Sequence, residues 1–327
     1  MKHRASSRTA VRKSSKLHTW LAYAGVAVLW MGTLIMSITG SDGVTTSKIK
    51  LSATQVHVIN AIFALPALII LLAILFAALS IRRYAHAIDG SKESAGFRFV
   101  AYGIFALLAG LLIGSYIGGL RQLIARHAAD PEHVKTTFVI ISNYISAAMA
   151  LVTYGLLLHG SQLLLRSIGR RLNVQRQAVP LLLAFGSLTV IYLLLIHGNP
   201  ARQTSVDPGV SPTFGLPYWL TVLTVALPFV LSWLIGALAL IGLHQYRQKT
   251  TGIVYKMLVK KFVTGMTLFI GLTIFLQLMT QLYNVYADSL SALLGIIVLV
   301  YLGLTYSFIV IALGAKRLNT IETLLIE

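Results

Sequence analysis

Eight stretches of the chain are apolar almost without interruption: residues 18 to 38, 56 to 81, 97 to 120, 136 to 165, 178 to 197, 216 to 243, 262 to 285 and 289 to 314. A helix needs about 20 consecutive apolar residues to cross roughly 30 Å of hydrocarbon, and each stretch meets that requirement. The pattern predicts eight transmembrane helices. The fifth is the shortest. The fourth is long enough that its end near Gln162 and Leu163 tilts or emerges into the headgroup region. Only a tight turn around Asp288 separates the last two, so they form a helical hairpin.

Charge between the stretches sets the orientation, because short loops rich in Lys and Arg stay cytoplasmic. With the N-terminus inside, the inner segments hold the six basic residues from Lys2 to Lys16, then Arg82, Arg83, Lys92 and Arg98, then Arg166, Arg170, Arg171 and Arg176. Arg247, Lys249, Lys256, Lys260, Lys261, Lys316 and Arg317 follow on the same side. Of 27 basic residues only Lys48, Lys50, Arg121, Arg126, Lys135 and Arg202 fall outside. Both termini are therefore expected in the cytoplasm, with the protein in the plasma (cytoplasmic) membrane. The formal charge of +18 follows from this asymmetry and needs no nucleic-acid partner. The partner the charge points to is the bilayer, through anionic lipid headgroups. Arg166 to Arg176 and Lys249 to Lys261 interleave cations with Ile168, Leu172, Val174, Val254, Leu258 and Val259, as segments lying on headgroups do. The tail before Trp20 has no acid and several serines. It lacks the apolar face of a transit peptide and reads as the flank of a retained first span.

Within the apolar pattern a repeat is visible. Shifting the sequence by 162 residues lays Ala64-Leu65-Pro66 on Ala226-Leu227-Pro228, Tyr84 on Tyr246, Arg98 on Lys260 and Gly103 on Gly265, without a gap. The same shift sets Leu21-Ala22-Tyr23 on Leu183-Ala184-Phe185 and Val28-Leu29-Trp30 on Val190-Ile191-Tyr192. Asp42-Gly43-Val44 matches Asp207-Pro208-Gly209-Val210 once a small gap is allowed. Arg171-Leu172-Asn173 resembles Arg317-Leu318-Asn319 at a shift of 146. Four spans return the chain to its starting side, so the two halves are expected to be parallel, related by a pseudo-two-fold axis along the membrane normal. The division is a basic tail (1–17), a first four-helix repeat (18–176) and a second repeat with a short tail (177–327).

Composition agrees with lipid as the solvent: 57% of residues are hydrophobic and only 11% charged. Cysteine is absent, which removes disulfides, thiolate nucleophiles and thiolate metal ligands together. All nine carboxylates lie in loops or at span ends, unlike the acids at depth found in ion-coupled carriers and pumps. Metalloprotease, serine-hydrolase and phosphate-loop motifs are missing, so no enzyme is expected. No two histidines occupy the mid-helix positions of a bis-histidine haem, and no cofactor is expected. The loop holding His127, Asp130, Glu132 and His133 gathers four possible metal ligands, but Pro131 breaks the single face a simple helical site needs. It reads as a solvated loop.

Three sets of residues carry the remaining chemistry. Ala106, Gly110, Gly114 and Gly118 place a small residue at every fourth position of the third span, a stripe that lets another helix approach closely. Pro66 and Pro228 sit at matched positions of spans two and six. Each removes a backbone hydrogen bond, so both are expected to kink their helices and to free the carbonyls of Ile62 and Thr224, as a gate would. Thr273, Gln277, Gln281 and Asn284 form a polar stripe on the seventh span, with Asn60, Asn143 and Tyr144 as candidate partners. Together they suggest a transporter or translocator of a neutral or amphipathic solute, with the pathway between the repeats. The alternative is a non-catalytic membrane subunit or scaffold that binds partner proteins.

Overall fold

The computed structural model describes residues 19–36, 44–45, 50–51, 53–128, 131–197, 217–250, 253–286 and 290–326. Among the described residues there are eight long helices: α1 (Thr19–Met36), α2 (Ala53–Ala87), α3 (Ser94–His127), α4 (Pro131–Ser167), α5 (Ala178–His197), α6 (Tyr218–Lys249), α7 (Ile253–Tyr286) and α8 (Leu290–Ile326). A two-residue antiparallel ladder pairs β1 (Val44–Thr45) with β2 (Lys50–Leu51) between α1 and α2. The basic tail, Asp42-Gly43, the Asp207 loop and Asp288 lie outside the described residues.

Five apolar segments are each long enough to cross a bilayer: Thr19–Met36, Ala64–Ala87, Ser94–Arg121, Tyr144–Ser167 and Tyr218–Lys249. Shorter apolar runs, Ala178–Ile191 and Val298–Gly314, lie in α5 and α8. Large apolar side chains face outward: Trp20 is 72% exposed, Val28 69% and Leu182 69%. Water would not tolerate so much outward apolar surface, whereas lipid does. The architecture is that of a multi-pass helical membrane protein.

Six helices close into a ring, α2 on α3, α3 on α4, α4 on α6, α6 on α7, α7 on α8, and α8 back on α2. Small residues set the close approaches. A Cβ added at Gly96 would stand 2.7 Å from Leu164, at Gly103 2.9 Å from Leu157, and at Gly110 2.9 Å from Met149, so a glycine every seventh residue seats α3 antiparallel on α4. On the next side, Gly236 faces the Tyr154 ring and Gly242 faces Ser161, which runs α6 parallel to α4. Two helices stay outside the ring. α1 leans on α2 through Trp30, whose Nε1–H donates to the Ala64 carbonyl at 3.2 Å, and through Arg83, which donates to Thr19 Oγ1 at 2.6 Å. α5 touches α6 and α7 lightly.

Two expectations change. The segment Lys249 to Lys261 is not an arm on the surface: α7 begins at Ile253, and Val259 and Phe262 are only 2% and 3% exposed, because this turn packs into the core. Ile168 and Leu172 likewise pack on the core, leaving the cations of that linker outside without their apolar neighbours. The match at the ends of the fourth and eighth spans also fails. Arg171-Leu172-Asn173 lies in the linker after α4, whereas Arg317-Leu318-Asn319 lies inside α8, which continues to Ile326.

Candidate functional site

The centre of the ring is filled by aromatic rings. Phe269 of α7 lies 5.1 Å from Phe308 of α8 and 6.4 Å from Tyr154 of α4, ring centre to ring centre. All three are nearly inaccessible, with Tyr154 at 3%, Phe269 at 4% and Phe308 at 1%. Toward the ends of α2 and α6, Tyr84 and Tyr246 both meet Phe97 edge-on, at 5.0 and 6.5 Å. Edge-to-face packing uses the positive rim and negative face of the rings, so these stacks lock as well as fill.

One polar pair sits in that centre. Thr273 Oγ1 donates to the Phe269 carbonyl at 2.8 Å, and the same side chain hydrogen-bonds to Tyr154. With the threonine hydrogen committed to its own helix, the phenol is the donor of the second bond. Next to Tyr154 in sequence, the Thr153 hydroxyl is buried without a partner among the described residues. Thr273 thus belongs to the core. The side chains of Gln277, Gln281 and Asn284, and of Asn60 and Asn143, lie outside the described residues, and Tyr144 is 47% exposed.

The two prolines behave differently. Pro66 lies half-buried in an unbroken α2, with the indole of Trp30 donating to the carbonyl two residues before it. Pro228 follows a π turn at Val222–Ala226, where the Leu227 N–H reaches back to the Val222 carbonyl. A missing N–H can be absorbed by such a widened turn, and here only one of the two helices uses it. Thr224 is 7% exposed and Ile62 is 60% exposed, so the two carbonyls expected to be freed sit in unlike surroundings.

The small-residue stripe is split. Gly110 meets Met149, while a Cβ at Gly114 or Gly118 would meet nothing within 4 Å among the described residues; Ala106 is half-buried. Close approach belongs instead to Gly96, Gly103 and Gly110, and to Gly119, which faces the Thr33 carbonyl and Met36 of α1. The seven-residue spacing of the first three was the sequence signal for that seam. His127 is exposed at the end of α3, and the side chains of Asp130, Glu132 and His133 lie outside the described residues. Among the described residues no group of three or more His, Asp or Glu is placed to hold a metal ion.

The linker between α4 and α5 is the second built feature. α4 ends with Gly169 at φ +72°, the Arg170 N–H bonded to the Leu165 carbonyl at 2.9 Å and the Gly169 N–H to the Arg166 carbonyl at 3.0 Å. This is a Schellman ending, and it requires the left-handed backbone that glycine adopts without strain. Next, Gln245 of α6 grips Asn173 from both sides: its Oε1 accepts from the Asn173 N–H at 3.1 Å, and its Nε2 donates to the Asn173 carbonyl. Asn173 Oδ1 then accepts from the Gln175 N–H at 3.0 Å. The fixed linker borders an open groove of about 560 Å³ lined by Arg171, Leu172, Asn173, Val174, Gln175 and Ala178. Set beside protein-family models, curated proteins and solved structures, the chain matches none.

Proposed function

We propose that the chain is an eight-span membrane protein with both termini cytoplasmic, built from two parallel four-helix repeats, and that it serves as a non-catalytic membrane subunit or scaffold. The aromatic plug carries this reading. In a two-repeat transporter the pathway runs where the halves meet, and there Tyr154 of the first half and Phe308 of the second both close on Phe269. A dry, interlocked centre suits a fixed framework that presents its linkers and outer faces to partners.

The repeat is supported by paired contacts. The ring has α4 beside α6 and, in the equivalent place, α8 beside α2. Gly103 packs against Leu157 and the Thr153 carbonyl, and Gly265 packs against Ile311 and the Ser307 carbonyl. Those partners are related by a shift of 154, the shortened form of the 162 that relates the glycines. A transporter of a neutral or amphipathic solute is the second reading. The Thr153 hydroxyl, without a partner among the described residues, and the Tyr154–Thr273 bond favour it, since polar groups at the centre are what a gate would carry.

The test uses the absence of native cysteine. Spin labels at His86→Cys and Gln248→Cys, on the exposed ends of α2 and α6, report the distance between halves in lipid nanodiscs. A framework gives one narrow distribution. A second population, shifted by a change of membrane side or added solute, overturns the scaffold reading in favour of alternating access.

A further inference from the structure

We propose that the groove at the α4–α5 linker is a binding site for one anionic phospholipid of the cytoplasmic leaflet, its phosphate held at Arg171 and its acyl chains laid along α5. The inference rests on the cytoplasmic placement of that linker and names the lipid class and the residues.

Charge is the first support. Arg166, Arg170 and Arg171 are exposed, and among the described residues no ion pair or hydrogen bond holds their guanidinium groups. The sequence offers them little: no Asp or Glu occurs between Glu132 and Asp207, or between Asp207 and Asp288. Guanidinium forks match phosphate oxygens with paired hydrogen bonds, and each cation at an anionic surface adds to the attraction.

Preorganisation is the second. Mobile arginines on a loose loop bind headgroups without selecting a place. Here Leu172 is packed on the core and Asn173 is gripped by Gln245, so Arg171 leaves a fixed backbone and the groove wall is set before any ligand arrives. The polar side chains of Asn173 and Gln175 line the same groove.

Amphipathic continuity is the third. Ala178, the first residue of α5, closes the groove, and the helix beyond it presents Val179 at 66% exposure, Leu182 at 69% and Leu183 at 67%. A ligand with a phosphate at one end and hydrocarbon at the other fits this order of surfaces. A soluble phosphate or a nucleic acid would leave the apolar strip uncovered.

The experiment is native mass spectrometry of the full chain in detergent, titrated with phosphatidylglycerol, with phosphatidylcholine of the same chains, and with glycerol phosphate. The expected result is retention of one phosphatidylglycerol, phosphatidylcholine at least roughly tenfold weaker, and weaker binding still of glycerol phosphate. Arg170→Gln with Arg171→Gln should bring phosphatidylglycerol down to the phosphatidylcholine level. Gln245→Ala, which frees the linker, should weaken phosphatidylglycerol and leave phosphatidylcholine unchanged. Equal binding of the two lipids by the unmodified chain overturns the proposal, as does an arginine variant that binds phosphatidylglycerol undiminished. Glycerol phosphate binding as tightly as the lipid would instead make the site one for a soluble phosphate. Detergent has no sidedness, so these outcomes do not depend on orientation. Labelling of Ser167→Cys by an impermeant maleimide from outside intact cells would reverse the topology while leaving the lipid result standing.

Discussion

Gly110 and Met149 meet where α3 crosses α4, so closely that a Cβ on the glycine would stand 2.9 Å from the methionine Cβ. At the corresponding place on α7 and α8 the sizes are exchanged. Leu272 projects from the glycine's position and Gly303 lies opposite, its missing Cβ 2.7 Å from Leu272 Cδ1. Shifts of 162 and 154 relate the two pairs, the same shifts that relate Gly103 to Gly265 and Leu157 to Ile311. One large and one small residue fill each crossing, and which helix supplies which is immaterial to the volume.

That exchange yields a prediction. Gly110→Leu alone should overfill the α3–α4 crossing and cost about 1 to 3 kcal/mol, read as a lower melting temperature in detergent. Gly110→Leu with Met149→Gly installs the α7–α8 arrangement in the first half and should recover most of the loss. A coupling of about 0.5 to 3 kcal/mol is expected in the double-mutant cycle. A double variant as unstable as the sum of its parts would show that the two crossings are not equivalent.

The helices themselves were legible in the sequence because the bilayer imposes one length scale on every apolar run. Their ends were not. Lys249 to Lys261 looked like a surface arm because its cations and apolar residues alternate, yet Val259 and Phe262 face a core that only the closed ring creates. The 162-residue shift lays Gly103 on Gly265, and both stand at close crossings where backbone contact tolerates a single residue type. Gly110 and Met149 gave no such signal, because Leu272 and Gly303 fill the α7–α8 crossing with the sizes exchanged. The grip of Gln245 on Asn173 spans 72 residues in sequence, and nothing local in either residue announces it.

The glycine stripe separates into two classes with opposite expected responses. Gly103→Ala puts a methyl 2.9 Å from Leu157 Cγ and 3.1 Å from the Thr153 carbonyl, so the helices must part and stability falls. Gly114→Ala and Gly118→Ala meet open space among the described residues, and each replaces the residue that least favours a helix by the one that most favours it. Their stability should stay level or rise, by up to about 1 kcal/mol per site, read as an unchanged or higher melting temperature. A drop at Gly114 as large as that at Gly103 would reveal a partner on that face.

The Tyr154–Thr273 bond gives the last prediction, because removing its two ends should not cost the same. Thr273→Val keeps the shape of the side chain and removes the acceptor, leaving a buried phenol hydrogen with no other partner among the described residues. A stranded donor costs about 1 to 3 kcal/mol. Tyr154→Phe removes the donor along with its need, and Thr273 keeps its bond to the Phe269 carbonyl, so the loss should be smaller, about 0.5 to 1.5 kcal/mol. At the positions related to Tyr154 and Thr273 by 154 and 162 stand Phe308 and Leu111, neither of which carries a hydroxyl. Tyr154→Phe combined with Thr273→Val should therefore be no worse than Tyr154→Phe alone. Thermal unfolding of the three variants decides it. If Thr273→Val proves the mildest, the phenol has another acceptor, and a water or solute reaches the centre; the closed plug, and the scaffold reading with it, would then give way to a hydrated pathway.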